Sequence, residues 1–314
     1  MPRGASNQKT KPTVTIVGSG RLGTALALAL TSSGYQIEAL VARRPSRARR
    51  AASLIGSRTG AFGATQLQLL PLSKITVIAT PDDQIRSTAE QLASFQKAAG
   101  RGRTVLHTSG ALSSSDVLSP LAEVGFDVGS LHPLVSVSDP RTGSAKLPGA
   151  FYCVEGDAAA TRVARAMVIA LKGESFHIRS NSKPLYHAAA VMASGHVVAL
   201  FQLTTEMLVQ CGLTLNSARR VLLPLLESTV SNLSTADPAH ALTGTFARGD
   251  LATVQRHLKA LSSDNLFDAL AAYKLLGRRS LELAREMGGD SEALTEIDRA
   301  LDGASKRRSG KMKQ

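Results

Sequence analysis

A glycine-rich hexapeptide directly after an apolar strand constrains this chain more than any other feature. The β-branched run Thr13–Val17 predicts a buried parallel strand, and an apolar, helix-forming stretch follows at Leu22–Leu30. Between a strand and a helix, the first glycine permits a tight turn, the second lets a pyrophosphate approach the backbone, and the third lets the helix pack on the strand. A purely structural turn is the alternative. The predicted dinucleotide site consists of Gly18, Ser19, Gly20, Arg21, Leu22 and Gly23.

Strand and helix patterns alternate along the first 180 residues. Short apolar runs rich in valine and isoleucine are separated by helical stretches. This alternation predicts an α/β fold, with an open parallel Rossmann sheet covered by helices on both faces. The predicted strands after the first are Ile37–Ala42, Lys74–Thr80, Thr104–His107, Val128–Leu131, Phe151–Val154 and Ser175–Ile178.

Beyond residue 180, strand-like runs disappear and long helical patterns replace them. We therefore predict a Rossmann domain at 13–180 and an all-helical domain at 181–303, with basic tails at 1–12 and 304–314. The predicted helices of the second domain are Lys183–Gln210, Leu215–Leu233, Leu251–Leu261 and Asn265–Met287.

The net charge of +13 is concentrated in the two tails and in one cluster, Arg43–Arg50. Basic tails are typical of solvated, disordered segments, and they can bind RNA weakly in a salt-dependent way. The chain has no tryptophan and only 4% aromatic residues, which argues against a surface that stacks on bases. Nucleic-acid binding is therefore not expected to be the main function.

The compartment is predicted from what the sequence lacks. The first twelve residues have no apolar core, unlike a secretory signal, and Ala188–Leu203 is interrupted by polar residues, so no membrane span is expected. Cys153 and Cys211 match no metal-ligand spacing and are interpreted as buried, reduced thiols. These features predict a cytoplasmic protein without a metal site.

The turn after the second predicted strand indicates which dinucleotide binds. NAD enzymes place a carboxylate in this turn to bind the ribose hydroxyls, but the turn here is basic. The planar, permanently charged arginine side chain suits a 2′-phosphate. We therefore predict NADP, selected by Arg43 and Arg44 with help from Ser46. The alternative is that the whole cluster is solvated, as is expected of Arg47, Arg49 and Arg50 on the next helix.

Polar residues follow three predicted strands at the edge of the sheet where ligands bind in such folds. Thr80 and Pro81 are expected to cover the cofactor. His107, Ser109 and His132 are expected to approach the nicotinamide, although a structural hydrogen bond explains each histidine alone equally well.

The start of the helical domain carries two candidate proton donors. Lys183 and His187 are one helical turn apart, and Ser194 lies near the same stripe. A lysine or a histidine in this position can supply a proton while a hydride arrives from a cofactor. An exposed first-turn lysine and a histidine at the edge of the core are the alternative.

The ordered motifs of the chain resemble those of Rossmann-like proteins with a C-terminal DUF2520 domain, which are similar to pyrroline-5-carboxylate reductases, 3-hydroxyisobutyrate dehydrogenases and ketopantoate reductases. The resemblance implies an NADP-linked reductase whose active site lies between two domains and whose helical domain forms a homodimer. The motifs are GSGRLG, ATPDDQI, HTSGAL, GSLHPL, KPLYHAAAVMAS, LLPLLESTVSN, and ALTGTFARGD followed by His257.

The resemblance also assigns roles, with departures. In the hydroxyacid dehydrogenase class a helix entering the second domain carries a catalytic lysine and an asparagine four residues later, and Lys183 and His187 occupy these positions. Gly195 stands where relatives often have asparagine, so a side-chain amide that could orient a substrate is missing. Arg248 offers a cation for a carboxylate, whereas Asp250 is interpreted as a helix cap.

Three functions follow, in order of preference. The first is a reductase that transfers hydride from NADPH to a small 2-oxo acid or imine, with Lys183 or His187 as proton donor and His132 or Ser109 orienting the substrate. The second is an NADP-binding sensor or scaffold without turnover. The third is a nucleic-acid-associated protein that uses its basic tails.

Overall fold

Eight strands form one sheet in the first part of the chain, in the computed structural model that describes residues 11–96, 100–262 and 266–303. The chain divides after Ser194 into two compact units. The strands are β1 (Val14–Val17), β2 (Ile37–Ala42), β3 (Gly60–Gly63), β4 (Ile75–Ile78), β5 (Thr104–His107), β6 (Asp127–Pro133), β7 (Phe151–Gly156) and β8 (Glu174–Phe176).

Helices cover both faces of this sheet, whose strand order is β3-β2-β1-β4-β5-β6-β7-β8. One apolar core lies against α1 and α7, and the other lies against α3 and α5. The helices of the first unit are α1 (Arg21–Ser32), α2 (Pro45–Ile55), α3 (Asp82–Phe95), α4 (Ser114–Val117), α5 (Ser119–Glu123), α6 (Pro140–Ser144), α7 (Ala158–Ala170) and α8 (Lys183–Ala193), with 3-10 turns at Ala64–Leu69 and Ser180–Ser182.

The predicted α/β fold with a parallel Rossmann sheet is confirmed, and the sheet departs from parallel pairing at one place. All neighbouring strands pair in parallel except β6 and β7, which are antiparallel. The connection between these two contains α6, which packs on α1. For two neighbouring strands to be parallel, the chain must cross back over the sheet to the end where the first strand began. The chain makes no such crossover between β6 and β7. Because β7 is antiparallel to β6, Glu155 lies opposite Ser130.

The second unit is helical, and its core joins α12, α13 and α14. Asp250 accepts a hydrogen bond from the Thr253 backbone N–H at 3.0 Å, which confirms its predicted role as the cap of α12. Leu215–Thr235 forms α10 with Pro224 inside it. The helices are α9 (Gly195–Gln210), α10, α11 (Pro238–Ala241), α12 (Leu251–Leu261), α13 (Phe267–Glu286) and α14 (Ser291–Gly303).

Several sequence predictions change or fall outside the described residues. The predicted helix at 183–210 is divided at Ser194, and α8 belongs to the first unit. Cys153 is buried as predicted, but Cys211 is exposed. Lys11, at the end of the predicted tail, is exposed but makes a defined contact, because its ammonium lies 5.0 Å from the centre of the Tyr35 ring. Residues 1–10, 265 and 304–314, where the tails and one helix start were predicted, lie outside the description.

One stretch among the described residues, 180–210, is long and apolar enough to cross a membrane by length and composition. No membrane span was expected from the sequence, because polar residues interrupt this stretch. The most apolar window has a mean hydropathy of 1.4, and only 6% of it is buried within the chain. A single such helix is weak evidence for a membrane span. Most of this apolar stretch is exposed.

Candidate functional site

The glycine-rich turn joins β1 to α1 as the sequence predicts, and two of its glycines are required by packing. Gly18 has a φ of +113°, and a Cβ added there would lie 2.5 Å from the Ala79 carbonyl group. A Cβ on Gly23 would lie 2.0 Å from the Gly18 carbonyl oxygen. Around Gly20, in contrast, the described residues other than its chain neighbours place no atom within 4 Å of an added Cβ. The turn therefore leaves open space at the position where a ligand would approach the backbone.

The residues present fit a dinucleotide. No side chain caps the N-terminus of α1, and its first turn has no acidic residue, so its backbone N–H groups are available to an anion. The hydroxyl oxygens of Ser19 and Thr80 are buried without a hydrogen-bond partner in the described part of the chain. A ligand with several acceptor oxygens would satisfy both the helix terminus and these hydroxyls. Pro81 is exposed next to Thr80, at the start of α3.

A cavity of about 580 Å³ opens beside this turn. Arg21 lines it from α1, and Arg47 and Arg50 line it from α2. The last two were expected to be merely solvated, so the sequence analysis missed their position on a cavity wall. Arg43 and Arg44 are exposed where β2 leads into α2, and neither lines this cavity.

The acid inside β2 does not replace the missing ribose-binding carboxylate. The carboxylate of Glu38 accepts a hydrogen bond from the hydroxyl of Ser73, next to β4. It is therefore engaged within the sheet. The turn after β2 is left with basic side chains only.

Two histidines and a tyrosine meet at Gly110, after the end of β5. The His132 Nδ1 lies 2.7 Å from the hydroxyl oxygen of Tyr186, and the His132 and His187 rings are in edge contact with centres 5.8 Å apart. A Cβ on Gly110 would lie 2.7 Å from His187 and 2.8 Å from His132. The sequence analysis named both histidines but missed Tyr186 and Gly110. Tyr186 lies one residue before His187, on the helix α8 that carries both onto β6.

A buried polar network lies beneath this cluster. His107, Ser130 and Glu155 are side by side on β5, β6 and β7, as the strand register requires. The Lys183 ammonium donates to the Ser130 hydroxyl at 2.8 Å and to the Glu155 carboxylate at 3.4 Å. The same carboxylate accepts from the backbone N–H of Ser114 at 2.8 Å. Glu155 was missed because only the antiparallel pairing of β7 brings it here.

Lys183 is fully buried, with 0% of its surface exposed. A first-turn lysine was expected to face either solvent or a substrate, but this one is covered and paired with a carboxylate. Burial lowers the pKa of Lys183 from its ordinary value, and the neighbouring Glu155 opposes this shift. In the first unit, Lys183 therefore holds α8 against the sheet.

Ser109, predicted to orient a substrate, already has hydrogen-bond partners. Its hydroxyl donates to the Asp82 carboxylate at 2.8 Å and accepts from the backbone N–H groups of Ala111 and Leu112. Only 5% of the residue is exposed. These contacts fix the loop after β5, and contact between Ser109 and a substrate stays a prediction.

The two inner histidines are neutral at physiological pH. Burial, assisted by the nearby Lys183 and His132, lowers the pKa of His107 to about 3. Burial, assisted by His187 and Lys183, lowers the pKa of His132 to about 4. The His107 Nδ1 accepts from the Ser109 backbone N–H at 3.1 Å, so its proton is on Nε2. That buried Nε2 has no hydrogen-bond partner within the described residues.

We expect the free energy of unfolding to fall as the pH decreases from about 6.5 towards 4. The unfolded chain binds protons on His107 and His132 that the folded chain does not, so stability is complete above the unfolded pKa and is lost towards the folded pKa. Each histidine should contribute on the order of 1–2 kcal/mol between pH 7 and pH 5. Urea titrations followed by circular dichroism measure this loss. The variant His132→Gln should lose less stability between pH 7 and pH 5 than the wild type. The control His196→Gln, which replaces an exposed histidine, should lose as much as the wild type. An unchanged pH dependence in His132→Gln would contradict the neutral state of His132.

The second unit holds its own pair of polar rings. The His257 Nδ1 lies 2.8 Å from the Tyr273 hydroxyl oxygen, and burial raises the pKa of Tyr273 to about 12. The turn before α12 contains Gly244, whose φ is +88°. Arg248, the candidate carboxylate ligand, follows this turn.

Known domains and structures match most of the chain. A model described as a Rossmann-like domain matches residues 2–133, and one described as a domain of unknown function, DUF2520, matches residues 150–280. A Bacteroides fragilis protein carrying the name of an NADP oxidoreductase, BF3122, has a similar structure, with a TM-score of 0.69, 22% identity and coverage of 87% of this chain and 99% of that one. Protein TM1727 of Thermotoga maritima gives 0.66 and 23%, with the same coverage.

A more distant similarity is to the NADP-bound pyrroline carboxylate reductase of Plasmodium falciparum, with a TM-score of 0.53, 11% identity and coverage of 94% of this chain and 97% of that one. A comparison with curated proteins gives no match. At these identities the similar structures establish the fold. The chain therefore joins an N-terminal Rossmann-like domain to a C-terminal DUF2520 domain.

Proposed function

We propose that this protein is an NADP-dependent oxidoreductase that transfers hydride to a small 2-oxo acid or imine. One observation carries the proposal: the first unit combines two features at the carboxyl ends of its parallel strands. These features are the glycine turn, which is open at Gly20, and the cluster of His132, Tyr186 and His187. The names of the similar structures, an NADP oxidoreductase and an NADP-bound reductase, support the same chemistry. The expectation that the substrate binds between two domains stays a prediction.

Bound NADPH would supply the hydride, and the protein's own groups would bind, orient and protonate the substrate. We propose that His187 is the proton donor, because it is only half-buried and its ring is in edge contact with the more deeply buried His132. Neutral His132, held by Tyr186, would orient the carbonyl or imine group by a hydrogen bond. Lys183 is the alternative donor, but its burial requires a change in its surroundings before it could contact a substrate.

The cofactor preference is tested by titrating NADPH and NADH into wild type and Arg43→Ala/Arg44→Ala. We expect the wild type to prefer NADPH, because the turn after β2 offers arginines and no carboxylate to a 2′-phosphate. The double variant should lose at least tenfold in NADPH affinity and keep its NADH affinity. Equal affinities of both proteins for NADPH would show that these arginines are solvated surface. No binding of either dinucleotide to the wild type would refute the proposed function.

One observation favours the second candidate, an NADP-binding sensor or scaffold without turnover. The lysine that corresponds to the catalytic lysine of hydroxyacid dehydrogenases is fully buried and paired with Glu155. A panel of 2-oxo acids and cyclic imines distinguishes the two functions. Tight NADPH binding without NADPH oxidation across the panel would favour the sensor.

We further propose that a second copy of the chain covers the exposed apolar side of α9 and α10. Val198 is 70% exposed and Leu225 is 64% exposed, and further exposed apolar side chains lie on the same two helices. Exposed apolar side chains that form a patch mark an interaction surface. The family resemblance supports a homodimer. Sedimentation of the wild type should give about twice the 32.9 kDa mass of one chain. The variant Val198→Asp/Leu225→Asp should sediment as a monomer. The control Ile169→Asp, on an exposed residue of the first unit, should sediment as a dimer. A monomeric wild type that sediments with lipid vesicles would instead point to a membrane; the cytoplasmic location stays a prediction.

A further inference from the structure

Arginines from three separate segments line the cavity beside the glycine turn. Arg21 comes from α1, Arg47 and Arg50 come from α2, and Arg141 comes from α6, in the connection between β6 and β7. The one carboxylate on the wall belongs to Asp139, whose Oδ1 is occupied by two backbone N–H groups at the start of α6. Positive charge therefore dominates the cavity.

No ion pair within the described residues neutralises this charge. None of the four arginines takes part in an ion pair there, whereas arginines such as Arg278 and Arg285 pair with nearby carboxylates. Ser19, whose buried hydroxyl has no hydrogen-bond partner among the described residues, lines the same cavity. Uncompensated guanidinium groups next to an unsatisfied hydroxyl are suited to an anion with several acceptor oxygens.

We propose that Arg141 acts together with Arg47 and Arg50 to bind a phosphate group in this cavity. The phosphate is either the 2′-phosphate of NADP, to which Arg43 and Arg44 just before α2 would then add their charges from outside this wall, or that of a separate phosphate-bearing molecule. The first source rests on the proposed function and the second does not. A phosphate dianion offers three acceptor oxygens, and the arginine fork donates two parallel hydrogen bonds to such a group.

The fold holds Arg141 at this wall. Asp139 caps α6 through the backbone N–H groups of Arg141 and Thr142, at 2.9 Å and 3.2 Å, and Pro140 fixes the first helical residue. Helix α6 packs on α1, the helix that begins at the glycine turn. The backbone of Arg141 is thus fixed while its side chain stays exposed to a ligand.

The test compares wild type, Arg141→Gln and the matched control Arg162→Gln. Arg162 is an exposed arginine of α7 that does not line the cavity, so its replacement makes the same change in net charge. Calorimetric titrations with NADPH, NADH and inorganic phosphate give the three affinities. We expect Arg141→Gln to lose at least tenfold in NADPH affinity and to keep its NADH affinity, and Arg162→Gln to match the wild type.

The outcomes separate the two sources and the two proposals. If Arg141→Gln loses only the affinity for inorganic phosphate, the site serves a separate phosphate-bearing molecule. If Arg141→Gln has the same three affinities as Arg162→Gln, Arg141 binds no phosphate and the inference is wrong. The inference is also wrong if Arg141→Gln loses equal affinity for NADPH and NADH, because Arg141 then contacts neither a 2′-phosphate nor a separate phosphate-bearing molecule. If the wild type binds neither dinucleotide, the proposed function fails, and the inorganic phosphate titration alone decides the role of Arg141.

Discussion

Gly20→Ala is expected to keep the stability of the fold and lose the cofactor, whereas Gly23→Ala is expected to lose the cofactor and also destabilise the fold. Apart from its chain neighbours, no atom of the described residues lies within 4 Å of a methyl group on Gly20, so this group projects into the space where a pyrophosphate would approach the backbone. We expect at least a tenfold loss of NADPH affinity. The free energy of unfolding should change by no more than about 1 kcal/mol, the usual scale for a substitution at a helix N-cap.

Gly23→Ala is the contrasting variant. Its methyl group would lie 2.0 Å from the backbone oxygen of Gly18, and a backbone atom cannot move aside without opening the turn. Overpacking of this kind typically costs about 1–3 kcal/mol. Urea titrations followed by circular dichroism give the stabilities, since the chain has no tryptophan to report unfolding by fluorescence. A Gly20→Ala protein that binds NADPH as tightly as the wild type would show that no pyrophosphate contacts this turn.

The features that were predicted correctly from the sequence are local ones. The glycine turn, the strand Ile37–Ala42 and the strand Thr104–His107 each depend on a few consecutive residues, whose backbone preferences suffice to define them. The histidines at the ends of β5 and β6 follow from the same reasoning, because parallel strands end at one edge of the sheet.

The features that were missed depend on contacts between distant segments. Glu155 enters the site only because β7 runs antiparallel to β6, and nothing within Phe151–Gly156 indicates its direction. Strand β3 has glycines at both ends and too few β-branched residues to be recognised. The five-residue helix α6 is too short to show a periodic pattern, so the position of Arg141 on the cavity wall was not predictable either.

The burial of Lys183 changes the interpretation of a residue that was predicted to face solvent or a substrate. A lysine in the first turn of a helix usually faces solvent. Helix propensity does not indicate that a carboxylate on a distant strand will pair with it. The substitution of one member of this buried pair therefore gives the second large effect. We expect Lys183→Met and Glu155→Gln each to lower the free energy of unfolding by about 3–5 kcal/mol, because each leaves its partner buried without its counterion.

The double variant Lys183→Met/Glu155→Gln separates a positioning role of Lys183 from a catalytic one. Removing both charges should restore part of the lost stability, since replacing a whole buried ion pair costs far less than breaking it. Additive losses would show that the two side chains do not stabilise the fold as a pair. If Lys183 acts only by holding α8 in place, NADPH oxidation should recover together with stability in the double variant. If Lys183 donates the proton, the double variant should be stable and inactive, and His187→Gln should then leave turnover and its pH profile intact.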